Sequence, residues 1–466
     1  MDMAKEATTT VADVFRDGLQ RSIAAAALAC LAVASAVGVW LAVLLLWPEA
    51  GQAIGPLTYG RWMPVHLDVQ LFGWCSLPVV GVLMQRMLPS DPRWLEAARV
   101  ALAAWLGALV AGSIAWLGGR TSGKLFLDWS GASGVVFAAA QMLLWSVLAA
   151  GWWARRRSDA RRRAGRAIDA ALLAVLAAVP LALYLVEKPT VYPPINPDSG
   201  GATGHSLLAS SLGVVGIALL LPSLLGRPAR GPIRDAAWTV AAAYAANLVV
   251  YGSIHHGNAS NHELGQIAGL GTLLLWPPLL VAWFRRFSWE RTQSRWLVTT
   301  GVWCVLLVID GFVLFLPGVL TGAKFTHALV AHAHLAMAGL LTALNMLVLI
   351  SLAPGSPLAR ALDARGVWLA WNLASLAMVA ILTGIGFLEA RDPLVVILGA
   401  REVTVGYLAR LAAGVVMLGS AATWWWATLR PVSLGARPEP IAGDHGEAGR
   451  QPIAPARSEA FETSHA

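Results

Sequence analysis

Long apolar runs separated by short polar segments recur along most of this chain. Each run has about 20 residues, the length that a helix needs to cross a hydrocarbon core about 30 Å thick. The pattern therefore predicts an all-α polytopic membrane protein with about twelve transmembrane helices. The predicted spans are 22–47, 64–88, 97–117, 130–154, 168–186, 203–225, 234–256, 262–284, 295–317, 324–352, 366–388 and 402–428.

Polar segments flank these helices at both ends of the sequence. Residues 1–21 carry mixed charge ahead of the first apolar run, which predicts a retained helix rather than a cleaved signal peptide. Residues 431–466 are rich in Pro, Gly, Ala and charged residues, and such a segment buries too little apolar surface to fold alone. We therefore predict an N-terminal cytoplasmic segment over 1–21, a twelve-helix core over 22–430 and a disordered cytoplasmic tail over 431–466.

Composition agrees with a membrane protein, and the distribution of charge adds its orientation. The 466 residues are 57% hydrophobic and 13% charged, with a mean hydropathy of +0.63 and a net charge of +8. Lys and Arg concentrate in alternate loops, above all in "RRRSDARRRAGR" from Arg155 to Arg166. The positive-inside rule places these loops and both termini in the cytoplasm. The positive charge is thus a topology signal, and no nucleic-acid partner is expected.

The three cysteines lie in separate apolar runs with no paired spacing. They are therefore predicted to be core residues rather than disulfide, zinc or c-type haem sites. The chain has no CxxCH motif and no cysteine cluster for a dinuclear copper centre. Any electron-entry module of either kind would therefore have to lie on another subunit.

Histidines single out one end of the predicted bundle. Two of the ten, His445 and His465, fall in the tail and have no expected role. An ionisable residue inside a membrane is a functional candidate by default, although each one alone is also consistent with a hydrogen-bonded core or interfacial residue. The others all fall toward the outer ends of predicted helices, in a layer that suits haem iron and copper. They are His66, His205, His255, His256, His262, His327, His332 and His334.

The "HAH" triplet indicates two cofactors rather than one. Residues two apart on a helix are rotated by about 200°, so His332 and His334 point to opposite faces. A low-spin haem needs a second axial ligand from another helix, and His66 lies at matching depth. His205 with the adjacent pair His255 and His256 forms a candidate three-nitrogen copper site.

Several stretches resemble subunit I of the haem-copper oxidase superfamily, closest to its cbb-type oxidase and nitric oxide reductase branches. They are "GRWMPVHLDVQLFGW", "GRTSGKLFLDW", "IHHGNASNHE" and "FTHALVAHAHLAM", with a weaker match in "YLARLAAGVVMLG". The resemblance covers roughly the whole membrane core and implies a twelve-helix fold of that type. It departs at Met63, where the family carries arginine, and in "GRTSGKLFLDW", whose acidic residues are reduced to Asp128.

The resemblance implies a role for each matching residue. His66 and His334 would ligate the low-spin haem, and His332 would be the proximal ligand of the high-spin haem. The active-site metal, copper in an oxidase, would be held by His205, His255 and His256. The residues implied to lie near the haem propionates are His327, Arg61, Arg120 and Lys124.

The implied activity is reduction of O2 to water in a bacterial inner membrane. Electrons would pass from cytochrome c, through a partner subunit with a c-type haem or copper centre, to two haems, b-type favoured, and one copper ion. Whether protons are pumped stays open. One alternative is a nitric oxide reductase-type enzyme with iron in place of copper. Another is a non-enzymatic haem or copper membrane protein, or a transporter with structural histidines.

Two features of the family's active site are altered. The position at which cbb-type oxidases carry a tyrosine cross-linked to a copper ligand is Val249 here, and Tyr251, one helical turn before His255, is the candidate for that role. Nitric oxide reductases carry glutamates near the metal, and the nearest acidic candidate in this sequence is Glu263.

A polar stripe on the seventh predicted helix is a candidate proton path. Tyr244, Asn247 and Tyr251 follow one another at helical spacing toward His255. Such side chains with trapped water relay protons, but membrane helices also use them for interhelical hydrogen bonds. Both interpretations stay open at the level of the sequence.

Overall fold

The computed structural model describes residues 11–55, 57–156, 163–188, 190–191, 204–256 and 260–430, with backbone alone at 163–164 and 204–205. This part of the chain is helical, without strands. Predictions that concern residues 431–466 fall outside it.

Twelve long helices follow one another along the described residues. They are α1 (Val11–Leu46), α2 (Tyr59–Met87), α3 (Pro92–Leu117), α4 (Ala132–Arg155), α5 (Arg163–Glu187), α6 (Gly204–Leu224), α7 (Arg234–Ser253), α8 (Leu264–Phe284), α9 (Arg291–Phe315), α10 (His327–Leu352), α11 (Arg365–Arg391) and α12 (Arg401–Leu429). Short helices over Glu49–Ala53, Val319–Ala323, Pro357–Leu362 and Leu394–Ile397 lie in the connections.

Eleven of these twelve helices are long and apolar enough to cross a membrane, and α7 is the exception within the described residues. The sequence pattern predicts a span over 234–256, and α7 does occupy most of it. Its 20 residues include Asp235, Tyr244 and Asn247, which lower its hydropathy. The multi-pass membrane architecture is confirmed with eleven apolar helices.

The first helix starts earlier than its apolar run. The predicted boundary is residue 22, whereas α1 begins at Val11. Phe15 and Leu19, spaced four residues apart on one helix face, are 4% and 1% exposed. Burial of this stripe extends the helix into the segment that the sequence assigned to a polar N-terminus.

The helices that carry the intramembrane histidines lie in the middle of the bundle. In the most apolar 18-residue window, 83% of α10 and 72% of α2 are buried, against 17% for α5 and α9. Residues Ala343 to Leu352 of α10 are buried without interruption. The side chains of α2 and α10 therefore face neighbouring helices rather than the surface of the bundle.

Each of these two central helices contains a π-helical segment just after its histidines. The segments are Val69–Cys75 in α2 and Leu335–Leu341 in α10. They lie against each other, because Trp74 Nε1 donates to Thr342 Oγ1 at 3.0 Å and Asn345 Nδ2 donates to the Trp74 carbonyl at 2.9 Å. Wide π turns are frequent at functional sites, and these two set the rotation of both helices next to their histidines.

Candidate functional site

His66 of α2 and His334 of α10 line one cavity of about 240 Å³, which we call the paired-histidine cavity. Its walls come from α1, α2, α10, α11 and α12, together with Leu125 and Phe126 of the α3–α4 loop. Apart from the histidines, the lining is mainly apolar, with Met337, Trp371 and Met417 among its larger side chains. The structure therefore brings together the two residues that the sequence pairs as axial ligands.

Hydrogen bonds fix the tautomer of both imidazoles. His66 Nδ1 lies 2.8 Å from the Ala34 carbonyl, and His334 Nδ1 lies 2.8 Å from the Val330 carbonyl. A carbonyl only accepts, so each Nδ1 carries the proton and each Nε2 keeps its lone pair. Gly38 allows α1 to approach, since a Cβ there would lie 2.8 Å from Cε1 of His66. Both rings therefore keep an unprotonated Nε2 that could ligate a metal.

A buried arginine also lines the paired-histidine cavity. Arg410 of α12 is 7% exposed, and its Nη1 has no hydrogen-bond partner in the described part of the chain. One turn earlier, Tyr407 is 6% exposed, and its hydroxyl is likewise unpartnered among described residues. An uncompensated cation inside a membrane protein is costly. The cavity is therefore electrostatically suited to a ligand that brings an anionic group.

His332 lines a different cavity, of about 330 Å³, which we call the single-histidine cavity. Its walls come from α6, α8, α9 and α10 and are largely apolar, with Thr300 and Cys304 among the few polar groups. Since His334 lines the other cavity, α10 separates the two. This is the separation expected from a rotation of about 200° between the two positions.

A carboxylate holds the ring of His332. Its Nδ1 lies 2.8 Å from Asp310 Oδ2 of α9, an arrangement that leaves Nε2 available as a ligand. The neighbouring Gly311 permits this approach, because a Cβ there would lie 2.8 Å from Cε1 of His332. Asp310 was not predicted, because nothing in the sequence links a residue on α9 to one on α10.

His327 lies at the start of α10 and forms a different pair. Thr326 caps this helix by accepting from the Ala328 N–H. The His327 N–H donates to Glu389 Oε2 at 2.6 Å, and its Nδ1 lies 2.7 Å from Glu389 Oε1. Tyr407 packs at 5.4 Å from the ring. His327 thus joins α10 to α11 and α12. It does not line the nearby paired-histidine cavity.

Two of the three basic residues expected near haem propionates contact backbone carbonyls instead. Arg61 Nη1 donates to the Leu117 carbonyl at 3.1 Å, and Lys124 Nζ donates to the last carbonyls of α5. Arg120 is exposed. Within the described residues, none of the three lines the paired-histidine cavity, whereas Arg410, which the sequence analysis did not select, does.

Two of the three predicted copper ligands, His255 and His256, lie beyond the end of a helix. Helix α7 stops at Ser253 and Ile254 is extended, so His255 and His256 do not continue the helical stripe of Tyr251 as predicted. Tyr251 instead meets the His256 ring edge-on at 4.8 Å. Neither histidine lines the single-histidine cavity. His205 begins α6, and its side chain lies outside the described part of the structure.

Glu263 lies against His255. Its Oε2 is 3.2 Å from His255 Nδ1, and its Oε1 accepts from the Ser260 N–H at 3.1 Å. These hydrogen bonds, first from Ser260 and then from His255, hold the pKa of the Glu263 carboxyl below its usual range. Among the described side chains, no three His, Cys, Asp or Glu residues are grouped closely enough to hold a metal ion.

The predicted proton stripe is engaged in contacts between helices. The Tyr244 hydroxyl donates to the Leu212 carbonyl of α6 at 3.1 Å. Asn247 is buried, and its Oδ1 accepts from Trp276 Nε1 of α8 at 2.7 Å. These are the interhelical hydrogen bonds of the second interpretation, and the relay stays a prediction.

Comparison with known proteins assigns no family to this site. No family model matches the chain, and no curated protein sequence matches it.

Proposed function

We propose that this chain is the catalytic subunit of a respiratory oxidase. It would reduce O2 to water at a high-spin haem and copper, with electrons that arrive from cytochrome c through a donor subunit and a low-spin haem. The proposal combines the resemblance of the sequence to haem-copper oxidases with the geometry of the two cavities.

The pair His66 and His334 is the observation that carries the proposal. Two imidazoles from different helices face one cavity, and both are held in the tautomer that leaves Nε2 unprotonated. His66 and His334 would together hold a haem that transfers electrons without binding substrate. Two histidines that only stabilised the fold would not have to line the same cavity.

The buried cation of Arg410 is also consistent with a haem in the paired-histidine cavity. A haem carries two carboxylates on one edge, and Arg410 offers a buried guanidinium whose Nη1 lacks a partner among the described residues. An anion beside it would offset the cost of burying the charge. The residues present therefore fit haem in the paired-histidine cavity.

His332 has the features of a proximal ligand in the second cavity. A bound haem iron would supply the one-electron chemistry that O2 reduction needs, whereas the predicted copper ligands His255 and His256 do not line this cavity. His332 would hold the iron from one side, and Asp310 would orient the ring and increase its electron donation through Nδ1. The apolar lining of the single-histidine cavity suits a small uncharged gas.

Activity can be tested on the chain in membranes with its native partner subunits. We expect O2 uptake with reduced cytochrome c, and we expect it to be lost in His332→Ala. The control is His262→Ala, which changes an exposed histidine in the α7–α8 connection. Haem-loaded protein that consumes neither O2 nor NO would support the non-enzymatic alternative instead.

Replacing Arg410 with methionine should lower the haem content of the paired-histidine cavity. The change removes the buried cation and keeps an apolar side chain of similar length, so a haem carboxylate would lose its partner, at a cost of about 2 to 5 kcal/mol. The effect is measured as the fraction of the low-spin haem absorbance that the purified protein keeps after dilution. Arg401→Met, in the exposed first turn of the same helix, is the matched control. If both variants retained the same haem content, Arg410 would have no role in binding the haem.

Replacing Tyr244 with phenylalanine distinguishes the two interpretations of the α7 stripe. If the hydroxyl relays protons, turnover should fall by about tenfold while the haem spectrum is unchanged. If it only joins α7 to α6 through the Leu212 carbonyl, turnover should stay at the parental rate and thermal stability should drop by about 1 kcal/mol.

The contact of Glu263 with His255 favours a second candidate function, a nitric oxide reductase-type enzyme that joins two NO molecules. A carboxylate beside a histidine suits iron better than copper. Metal analysis separates the two proposals, since two haems with one copper favour the oxidase and a third iron favours the reductase.

A further inference from the structure

The α3–α4 loop, residues 118–131, carries a strained turn at the paired-histidine cavity. Phe126 has a φ of 64°, a left-handed conformation that is rare for a bulky side chain. The turn closes through a hydrogen bond from the Leu127 N–H to the Lys124 carbonyl at 3.2 Å. Its two central residues, Leu125 and Phe126, line the cavity. Strained backbone of this kind tends to occur at ligand clamps.

The position of Leu125 shows what the turn covers. Leu125 is 69% exposed and at the same time lines the cavity. The turn therefore lies between the cavity of His66 and His334 and the surface of the protein. Leu125 and Phe126 therefore lie on one route from the surface to the cavity.

Buried polar contacts tie the turn to the bundle on one side. Lys124 is 1% exposed, and its Nζ donates to the carbonyls of Val186 and Glu187, the last residues of α5. The terminal carbonyls of a helix lack partners within it, so this ammonium both caps α5 and fixes the loop.

A second anchor follows the turn. Asp128 is 4% exposed, and its Oδ1 accepts from the backbone N–H groups of Ser122 and Gly123 and from the Ser122 hydroxyl. Trp116 Nε1 of α3 donates to the Asp128 carbonyl. The turn is thus held from both sides, which explains how a strained phenylalanine persists there.

We propose that Lys124 and Asp128 are positioning residues that hold Leu125 and Phe126 as a cap over the paired-histidine cavity and exclude water from it. The identification of the occupant as a haem rests on the proposed function. The existence of the cap does not depend on that function. A dry cavity strengthens electrostatic interactions around its occupant and sets the redox potential of a haem.

The cap is tested by labelling a cysteine inside the cavity. Ser35 of α1 lines the cavity, so Ser35→Cys is the reporter, and a membrane-impermeant maleimide is the probe on the full chain in membrane vesicles. The parental protein, with its native cysteines, provides the baseline. Labelling of the reporter should be slow, since the cap must open first.

Two changes to the cap should speed the labelling by about tenfold or more, because each lowers the cost of local opening. Phe126→Gly removes the ring and keeps the backbone, since glycine readily adopts a φ of 64°. Lys124→Met removes the contacts to α5. Lys124→Arg keeps a cationic donor and should therefore show the parental labelling rate.

A matched control is available in the same chain. Phe325 has a φ of 65° and is 73% exposed, but it does not line the cavity. Phe325→Gly should leave the labelling rate unchanged. The proposed cap would be contradicted if Phe126→Gly left the labelling rate unchanged, or if Phe325→Gly increased it equally.

Haem content separates this proposal from the one on which it partly rests. In haem-loaded protein, Phe126→Gly should also lower the midpoint potential of the low-spin haem, because water stabilises the ferric charge. Protein without haem that still shows the expected labelling pattern would contradict the proposed function and support the cap. Haem-loaded protein without the labelling pattern would contradict the cap alone.

Discussion

His334→Ala is expected to abolish the low-spin haem spectrum, and His332→Ala to abolish that of the high-spin haem. The two residues line separate cavities on opposite sides of α10, so each substitution removes a histidine from one cavity only. The haem-to-protein ratio should fall by about half in each variant. Reduced-minus-oxidised spectra and a haem assay on the purified proteins measure both effects.

The two variants control for each other, since both replace a half-buried histidine on the same helix. A third variant, His262→Ala, removes an exposed histidine and should keep the full haem content. Loss of one and the same spectral species in both α10 variants would contradict the assignment of two cavities to two haems.

Asp310→Asn is expected to slow turnover by about 10- to 100-fold while leaving the low-spin spectrum intact. The amide is nearly isosteric and still accepts from His332 Nδ1, so the substitution removes the negative charge and little else. A less electron-rich ligand should raise the midpoint potential of the high-spin haem. Steady-state O2 uptake and a redox titration follow the two quantities.

A comparable carboxylate serves as the control for Asp310. The Asp235 side chain in the first turn of α7 is 98% exposed and pairs with Arg234 at 3.8 Å. Asp235→Asn should change neither the rate nor the potential. If Asp310→Asn behaved in the same way, the contact with His332 would be only structural.

Local pattern was enough to predict most of the helices and the two faces of α10. Helix length follows from membrane thickness and apolar runs, and the divergence of His332 and His334 follows from helical geometry alone. Helix ends were predicted less well. Phe15 and Leu19 extend α1 through burial, and α7 ends at Ser253, which removes the helical relation between Tyr251 and His255.

Contacts between distant helices were not predictable from one sequence. Asp310 meets His332, and Glu389 meets His327, across helix pairs whose packing angle and depth no local pattern encodes. Arg410 lies in a largely apolar stretch, and its burial becomes evident only when α12 is packed on α1 and α11. The π-helical segments likewise have no signature in hydrophobic periodicity.

The most direct test of two cofactor cavities on either side of α10 is the haem content of the purified, unsubstituted protein. We expect a Soret band and two haems for each chain, with His66, His334 and His332 as their ligands. Purified, folded protein without Soret absorbance and without iron would contradict it.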